Sequence, residues 1–185
     1  MAIQKWTLLE KKDVSPSSWF PIEERVYRMP SGKVVDDFTV TTLSDVAMII
    51  PITTDRRLVL VNQYKPGVDE VMMQFPAGRL EAKHQNMDEL AAHELEEEVG
   101  IKVESHLLKR FGKFTGFSTK ATELVYAYFA ENCVFNAKQK LDVTEEIEIV
   151  TVSFTEMEEL IKSNKIWCSL TISCWELYKK RFPAT

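Results

Sequence analysis

The stretch Ala91-Ala92-His93-Glu94-Leu95-Glu96-Glu97-Glu98-Val99-Gly100 decides how this chain is read. Upstream of it, Asn86 is suited to cap a helix and Glu89 stands at the capping-box position; Gly100 suits the place just past a helix end. The spacing therefore predicts a helix from about Met87 to Val99. Glu94, Glu96, Glu97 and Glu98 crowd its final turns, where the helix dipole is negative. Each such placement costs a few tenths of a kcal/mol, as does the i,i+4 pair Glu94/Glu98. An acidic run of this kind is ordinarily a solvated face, and the angular positions test that. At roughly 100° per residue from Met87, Leu90, Ala91 and Leu95 fall at about 300°, 40° and 80°, with Glu94 and Glu98 inside that arc at about 340° and 20°. Glu89 and Glu96 fall on the opposite, wet face and Glu97 at the edge. Two carboxylates in the middle of an apolar stripe are costly to bury uncompensated, so they should pair with a base or hold a cation. Basic neighbours in sequence are few. With oxygen ligands and no Cys or His cluster, the cation is a hard one, Mg²⁺ or Mn²⁺, and Mg²⁺ commonly completes its shell with water and substrate phosphates. The residues alone thus reach metal-assisted phosphate chemistry.

Outward from the helix, strand-like runs precede it at Phe38–Thr42, Val46–Ile52 and Leu58–Asn62, with a turn at Asp55–Arg57 and an ordered loop over Gln74–Lys83. Leu124–Ala130 and Ile147–Val152 are further β-rich runs. A capping box at Thr155–Glu158 opens a helix to about Ser163, and a last helix covers about Ser169–Arg181 before Pro183. Residues 1–45 are polar and mixed. Strands early and helices late and between strands give an α/β (α+β) sandwich rather than a regularly alternating doubly wound sheet.

The 185 residues amount to about one domain, 45% hydrophobic and 28% charged, with material for a sizeable core. A net charge of -5 argues against a nucleic-acid groove, which needs a basic footprint. It does not argue against small phosphate compounds, because an acidic protein can place a cation between itself and an anion. No secretory signal is visible near Met1–Asp13, and the longest apolar run, near Val46–Ile52, is far short of a membrane span. Cys133, Cys168 and Cys174 lack a CxxC spacing and read as buried free thiols, and His84, His93 and His106 form no zinc spacing. A cytoplasmic protein is the expectation.

Gly78 followed by His93-Glu94-Leu95-Glu96-Glu97-Glu98-Val99-Gly100-Ile101 resembles the Nudix box, G-x5-E-x7-R-E-U-x-E-E-x-G-U, matching in its second half at Glu94, Leu95, Glu97, Glu98, Gly100 and Ile101. Gln63-Tyr64-Lys65-Pro66 and Phe75-Pro76-Ala77-Gly78 look like the Q-Y-R-P and L-P-A-G segments of ADP-ribose and nucleotide-sugar pyrophosphatases. So do Gly116-Phe117-Ser118 with Glu123, the run Glu145–Val152, and the stretch Ile161–Thr171. Two departures stand out. Gly78 and Glu94 are sixteen positions apart where the pattern has fifteen. The upstream box Glu is replaced by His84 or Gln85, depending on the direction of counting, and the box Arg is replaced by His93.

The resemblance implies a Nudix α/β/α sandwich around a mixed β-sheet (residues 46–185) behind a small N-terminal β subdomain (residues 1–45) that makes contacts in a homodimer. It implies a Mg²⁺-dependent pyrophosphohydrolase, with Mn²⁺ as the other candidate ion, acting on ADP-ribose or a nucleoside diphosphate sugar. Metal would be held by Glu94, Glu97, Glu98 and the Ala77 carbonyl. Glu146 is the candidate water-activating base, with Glu145 next, beside Glu97 and Glu98 in the catalytic group. Arg79, Gln63, Tyr64, Trp19 and Glu123 are the candidate substrate residues, Arg79 having a surface ion pair as its alternative and Glu123 a surface position at the start of a strand. Trp6 is a weaker aromatic candidate. His84 and His93 are expected to be structural. A catalytically weak or inactive Nudix-like nucleotide-binding module is the alternative function, and an interaction protein with a merely acidic helix the third.

Overall fold

In the computed structural model, which describes residues 2–183, Asn86 does cap the acidic helix: its side chain accepts from the backbone N–H of Asp88 and Glu89. Glu89 reaches back to the N–H of Gln85 at 3.1 Å, one residue earlier than a standard capping box. Helix α1 covers Met87–Val99 and ends at Gly100, whose φ of 68° is the left-handed conformation that closes a helix, with the Gly100 and Ile101 N–H groups returning to Glu96 and Leu95.

By packing, the described chain divides into two units. The first comprises the residues up to Ser44 together with Thr115–Glu123. It contains a three-stranded antiparallel sheet of β1 (Thr7–Asp13), β2 (Ile22–Arg28) and β3 (Val34–Thr41) in that order. Sequence patterning identifies β3 in part and misses β1 and β2, because β1 is exposed along its whole length and carries no alternating apolar signal. An edge-to-face cluster of Trp6, Tyr27 and Phe38, with centroids 5.6–6.3 Å apart, holds the sheet. The Lys120 ammonium caps the Phe38 ring at 4.3 Å, and Thr41 exchanges backbone hydrogen bonds with Lys120 and Thr122, which binds the 115–123 segment to this unit.

The second unit comprises Asp45–Phe114 and the chain from Leu124 onward. Its strands are β4 (Val46–Thr53), β5 (Leu58–Lys65), β6 (Glu70–Gln74), β7 (Ala77–Arg79), β8 (Lys109–Phe114), β9 (Val125–Cys133) and β10 (Ile147–Val152). They form one mixed sheet in the order β10-β5-β4-β9-β8, parallel only between β4 and β9. β4 and β5 pair only at Ile52↔Leu58 and then diverge; β6 fills the gap along β5 and β7 along β4. That divergence brings the Gln74–Gly78 segment under α1. Side-chain alternation sorts the sheet into two faces. Ala47, Ile49, Val59 and Val61 pack with Leu90, Ala91, Leu95 and Val99 of α1. Met48, Ile50, Leu58 and Leu60 face α2 (Phe154–Lys162) and α3 (Ser169–Arg181), whose anchors are Met157 and Trp175. The unit is thus an α/β/α sandwich around a mixed sheet.

The capping box of α2 is Ser153–Glu156 rather than Thr155–Glu158, so the helix begins at Phe154. The serine forms both reciprocal bonds, with Glu156 Oε2 accepting from the Ser153 N–H at 2.6 Å. Strands β6 and β7 lie inside what the sequence presents as an ordered loop, their shortness hiding any period. The three cysteines are free, Cys133 and Cys174 buried and Cys168 half-buried. Among the described residues no helix is long and apolar enough to cross a membrane.

Candidate active site

Leu90, Ala91 and Leu95 anchor one stripe of α1 against the sheet, and the second half of the same stripe carries Glu94 and Glu98 inward. Glu98 is 3% exposed, and its Oε2 accepts the Ala77 N–H at 2.9 Å. Glu94 lies against Gly78 so closely that a Cβ there would stand 2.0 Å from its carboxyl carbon. Gly78 has no positive φ, so it is glycine for space and not for conformation. The register explains the approach, because Gly78 pairs with Ala47, a residue of the α1 face.

Burial pushes the Glu94 carboxyl up to about 7, helped by the charges of Glu97 and Glu145. Burial pushes Glu98 up to about 8, with Glu94 the next cause and the Ala77 N–H opposing. Both carboxyls thus hold protons well above the ordinary range, the signature of an acidic pair lacking a countercharge. Glu97 is half-buried at the edge of the stripe, its Oε2 2.8 Å from His93 Nδ1. Glu96, on the wet face, pairs instead with Lys140 at 2.6 Å. The 136–140 loop is tied to the same helix end: Gln139 Nε2 donates to the Glu98 carbonyl at 2.7 Å and the Lys140 N–H to the Glu97 carbonyl at 3.0 Å.

Strand parity distributes the β5 candidates. Val59 and Val61 face α1, so Gln63 and Lys65 continue that face and Tyr64 points to the other. Tyr64 is 51% exposed and donates its hydroxyl to Asp69 at 2.7 Å. Lys65 donates to Gln63 Oε1 at 2.5 Å. Its ammonium is depressed by burial, and the charges of Glu98 and Glu145 oppose that while Arg79 reinforces it. Lys65 is therefore the residue that sequence reading passes over beside Gln63 and Tyr64; the parity of the apolar residues Val59 and Val61 is the signal that points to it. Glu145 is half-buried, closes the Asp142–Glu145 turn, and acts on Glu94, Glu98 and Lys65. Glu146 is exposed. Trp19, 91% exposed, and Glu123 both belong to the first unit, as does Trp6, which is engaged with Tyr27 and Phe38.

The sequence profile described as NUDIX domain matches residues 42–169, well over half of the chain. The chain belongs to the Nudix family. A relative described as ADP-ribose pyrophosphatase, from Bacillus subtilis (strain 168), is 29% identical over 147 residues, covering 77% of this chain and 76% of its own. A second, described as methanol dehydrogenase activator, from Bacillus methanolicus, is 30% identical over 128 residues and covers 67% of this chain and 66% of its own. A crystal structure described as an ADP compounds hydrolase superposes with a TM-score of 0.82 at 21% identity, covering 98% of this chain and 96% of that one. The chain is thus a Nudix hydrolase similar to the ADP-ribose pyrophosphatase branch, as its motifs imply.

In Nudix terms, the site keeps Glu94, Glu97 and Glu98 of the box and departs from it at the upstream Glu and at the Arg. His84, one of the two candidates for the replaced box Glu, and His93, at the box Arg position, are brought together with ring centroids 5.2 Å apart. Their spacing in sequence suggests no such meeting. The 81–84 turn produces it: the His84 N–H donates to the Glu81 carbonyl at 3.0 Å and the Glu81 N–H to His84 Nδ1 at 3.2 Å, folding the loop back toward α1. Together with Glu94 they form a group whose ligand atoms all lie within 4.8 Å of one another. The sequence spacing of the histidines shows no metal partner; in space the two rings meet Glu94 in that group.

Proposed function

We propose that this Nudix hydrolase cleaves the pyrophosphate bond of ADP-ribose or a nucleoside diphosphate sugar with a divalent cation, Mg²⁺ or Mn²⁺, giving a nucleoside monophosphate and a sugar phosphate. The observation that carries the proposal is the Glu94/Glu98 pair behind the Pro76-Ala77-Gly78 segment, Glu98 buried and Glu94 half-buried, both carboxyls held up chiefly by burial. The donor set fits a hard cation. It is all oxygen, Glu94 and Glu98 with Glu97 at its edge and the Ala77 carbonyl beside it, and two raised carboxyls release protons when a cation displaces them. Bound there, the cation supplies neutralisation of the diphosphate and a more acidic water.

The remaining roles belong to the chain's own residues. Glu145 is the better-placed base, because it is half-buried and its charge acts on both carboxyls, whereas Glu146 is exposed. It accepts the proton of the attacking water, as a carboxylate among other negative charges is suited to do. Lys65 feels the charges of Glu98 and Glu145, and Gln63 fixes its ammonium. Arg79, exposed on β7, meets a substrate phosphate. The description of the B. subtilis relative supports the choice of substrate class. The first unit, with Leu8, Leu9, Trp19 and Phe20 exposed, serves as the homodimer contact in this reading, and the protein works in the cytoplasm.

The test is a turnover panel over ADP-ribose, nucleotide sugars, dinucleoside polyphosphates and RNA 5′ ends with Mg²⁺ or Mn²⁺. Preferred release of a nucleoside monophosphate from ADP-ribose or a nucleotide sugar is expected. Nucleotide binding with no turnover on any substrate would instead assign the chain as a binding module, in line with the replaced box Glu and Arg.

A further inference from the structure

His84 and His93 form a nitrogen-rich corner beside the carboxylates. His84, His93 and Glu94 present ligand atoms all within 4.8 Å of one another. His93 Nδ1 faces Glu97 Oε2 at 2.8 Å, the arrangement that keeps the proton on Nδ1 and leaves Nε2 as a lone pair. His84 Nε2 is buried with no hydrogen-bond partner. A buried ring nitrogen without a partner is an unsatisfied polar atom, and a ligand is one way to satisfy it. A surface cavity of about 450 Å³ lined by Lys83, His84, Glu89 and His93 lies over the pair, leaving room for water in the remaining coordination positions. The nearest opposing charge, Lys83, is engaged by Glu81 at 3.1 Å.

We infer that His84, His93 and Glu94 form a second metal site, selective for a borderline transition metal such as Zn²⁺, Co²⁺ or Ni²⁺ and poor for Mg²⁺. Two imidazoles and one carboxylate are a common donor set for zinc with an open position, while imidazole nitrogen has little attraction for Mg²⁺. Three ligands each about 2.0–2.2 Å from a metal stand within the 4.8 Å bound of this group, so any movement an ion asks of them is small. His93 and the 81–84 turn are at the surface, where that movement is cheap. Binding through His84 Nε2 also moves the ring proton to Nδ1 and gives up the 3.2 Å contact from the Glu81 N–H. Glu94 is common to this site and to the proposed carboxylate site, so occupation by Zn²⁺ withdraws one of its oxygens and slows the Mg²⁺-supported reaction. Occupation of the histidine site does not depend on the proposed function; the inhibition does.

Titration of the full-length protein with Co²⁺ or Zn²⁺ under excess Mg²⁺, by visible absorption and by calorimetry, tests the site. One equivalent is expected to bind with a nitrogen/oxygen spectrum free of thiolate charge transfer. Binding is expected to weaken by about tenfold or more in both His84→Asn and His93→Asn, and to be unchanged in His106→Asn. Thermal melts without metal check that the variants are folded, and His84→Gln replaces His84→Asn if that variant melts early. Absent binding, a thiolate spectrum, or an affinity within about threefold of the parent in either folded variant overturns the site. In the activity arm, added Zn²⁺ is expected to inhibit the parent and to inhibit His84→Asn at least about tenfold less sensitively. Binding without inhibition overturns the sharing of Glu94 while leaving the histidine pair as a site.

Discussion

Replacement of Gly78 by alanine separates the space requirement of the site from the stability of the fold. A Cβ at Gly78 would stand 2.0 Å from Glu94 Cδ and 2.2 and 2.3 Å from its oxygens, against the 3.0 Å below which such contacts essentially do not occur. The carboxylate must therefore retreat by at least about 1 Å. The atoms met are the end of a flexible side chain, and the Gly78 backbone is not in the left-handed region, so the main chain need not move. Stability should be unchanged, or raised by up to about 1 kcal/mol through loss of unfolded-chain freedom. A 1 Å displacement of a ligating carboxylate should lower kcat/KM by about 100-fold, some 2.7 kcal/mol of transition-state stabilisation. Steady-state kinetics with saturating Mg²⁺, thermal melts, and the same measurements on Gly67→Ala, where an added Cβ meets nothing within 4 Å, form the assay. A Gly78→Ala enzyme with kcat/KM within threefold of the parent would refute the reasoning. So would a fall in activity matched by a fall in Tm, since that would locate the damage in the fold.

Glu98→Gln keeps an acceptor for the Ala77 N–H and removes the charge, so metal-free stability should hold or rise while the Mg²⁺-induced increase in Tm disappears; a retained Mg²⁺ shift would exclude Glu98 as a ligand. The metal-free protein should also lose stability with rising pH. Glu94 and Glu98 keep their protons to about 7 and 8 when folded but release them near 4.5 when unfolded, so the native state holds more protons across that window. The loss, on the order of a few kcal/mol between pH 4.5 and 8, should shrink on addition of Mg²⁺, and denaturant melts with EDTA or Mg²⁺ at pH 5.5 and 8.5 measure it. Glu145→Gln should lower kcat by about 100-fold or more and Glu146→Gln by less than threefold; reversed effects would return the base role to Glu146. Lys65→Met should lower kcat/KM at least tenfold while Tyr64→Phe, which loses only the Asp69 contact, leaves it unchanged; equal effects would contradict the strand-face assignment.

How far the sequence could be read depended on whether a residue's partner is local. Helix α1 was legible to its end residues because Asn86, the 3.6-residue stripe and Gly100 are all contained within fifteen positions. The inward direction of Glu94 and Glu98 followed from the same stripe, and the family pattern from the residues around it. Strand β1 was not legible, because a fully exposed strand has no buried face to impose a period. Nor were β6 and β7, which exist because β4 and β5 diverge, a fact about pairing and not about their own residues. The same holds inside the site. Glu145 rather than Glu146 is felt by Glu94 because of how the loop before β10 turns back, and adjacent glutamates in a loop carry no period to decide between them. The meeting of His84 with His93 depends on two hydrogen bonds within a four-residue turn that no spacing rule registers.

The net charge of -5 acquires a location from this arrangement. Glu96 is answered by Lys140, and Glu98 feels Lys65 only in part, since its carboxyl is still pushed up to about 8. The acidity left unanswered is concentrated at one end of α1, where the helix dipole adds to it and burial amplifies it. Nothing in folding alone favours such a cluster, because replacing Glu94 by an apolar residue would relieve both burial and repulsion. The proposed cation would give it a purpose, and would let an acidic chain take the anionic substrate proposed for it. The residue against which Glu94 is pressed then becomes as informative as the carboxylates themselves: any side chain larger than hydrogen at position 78 would collide with Glu94 and, by moving it, dismantle the proposed cation site.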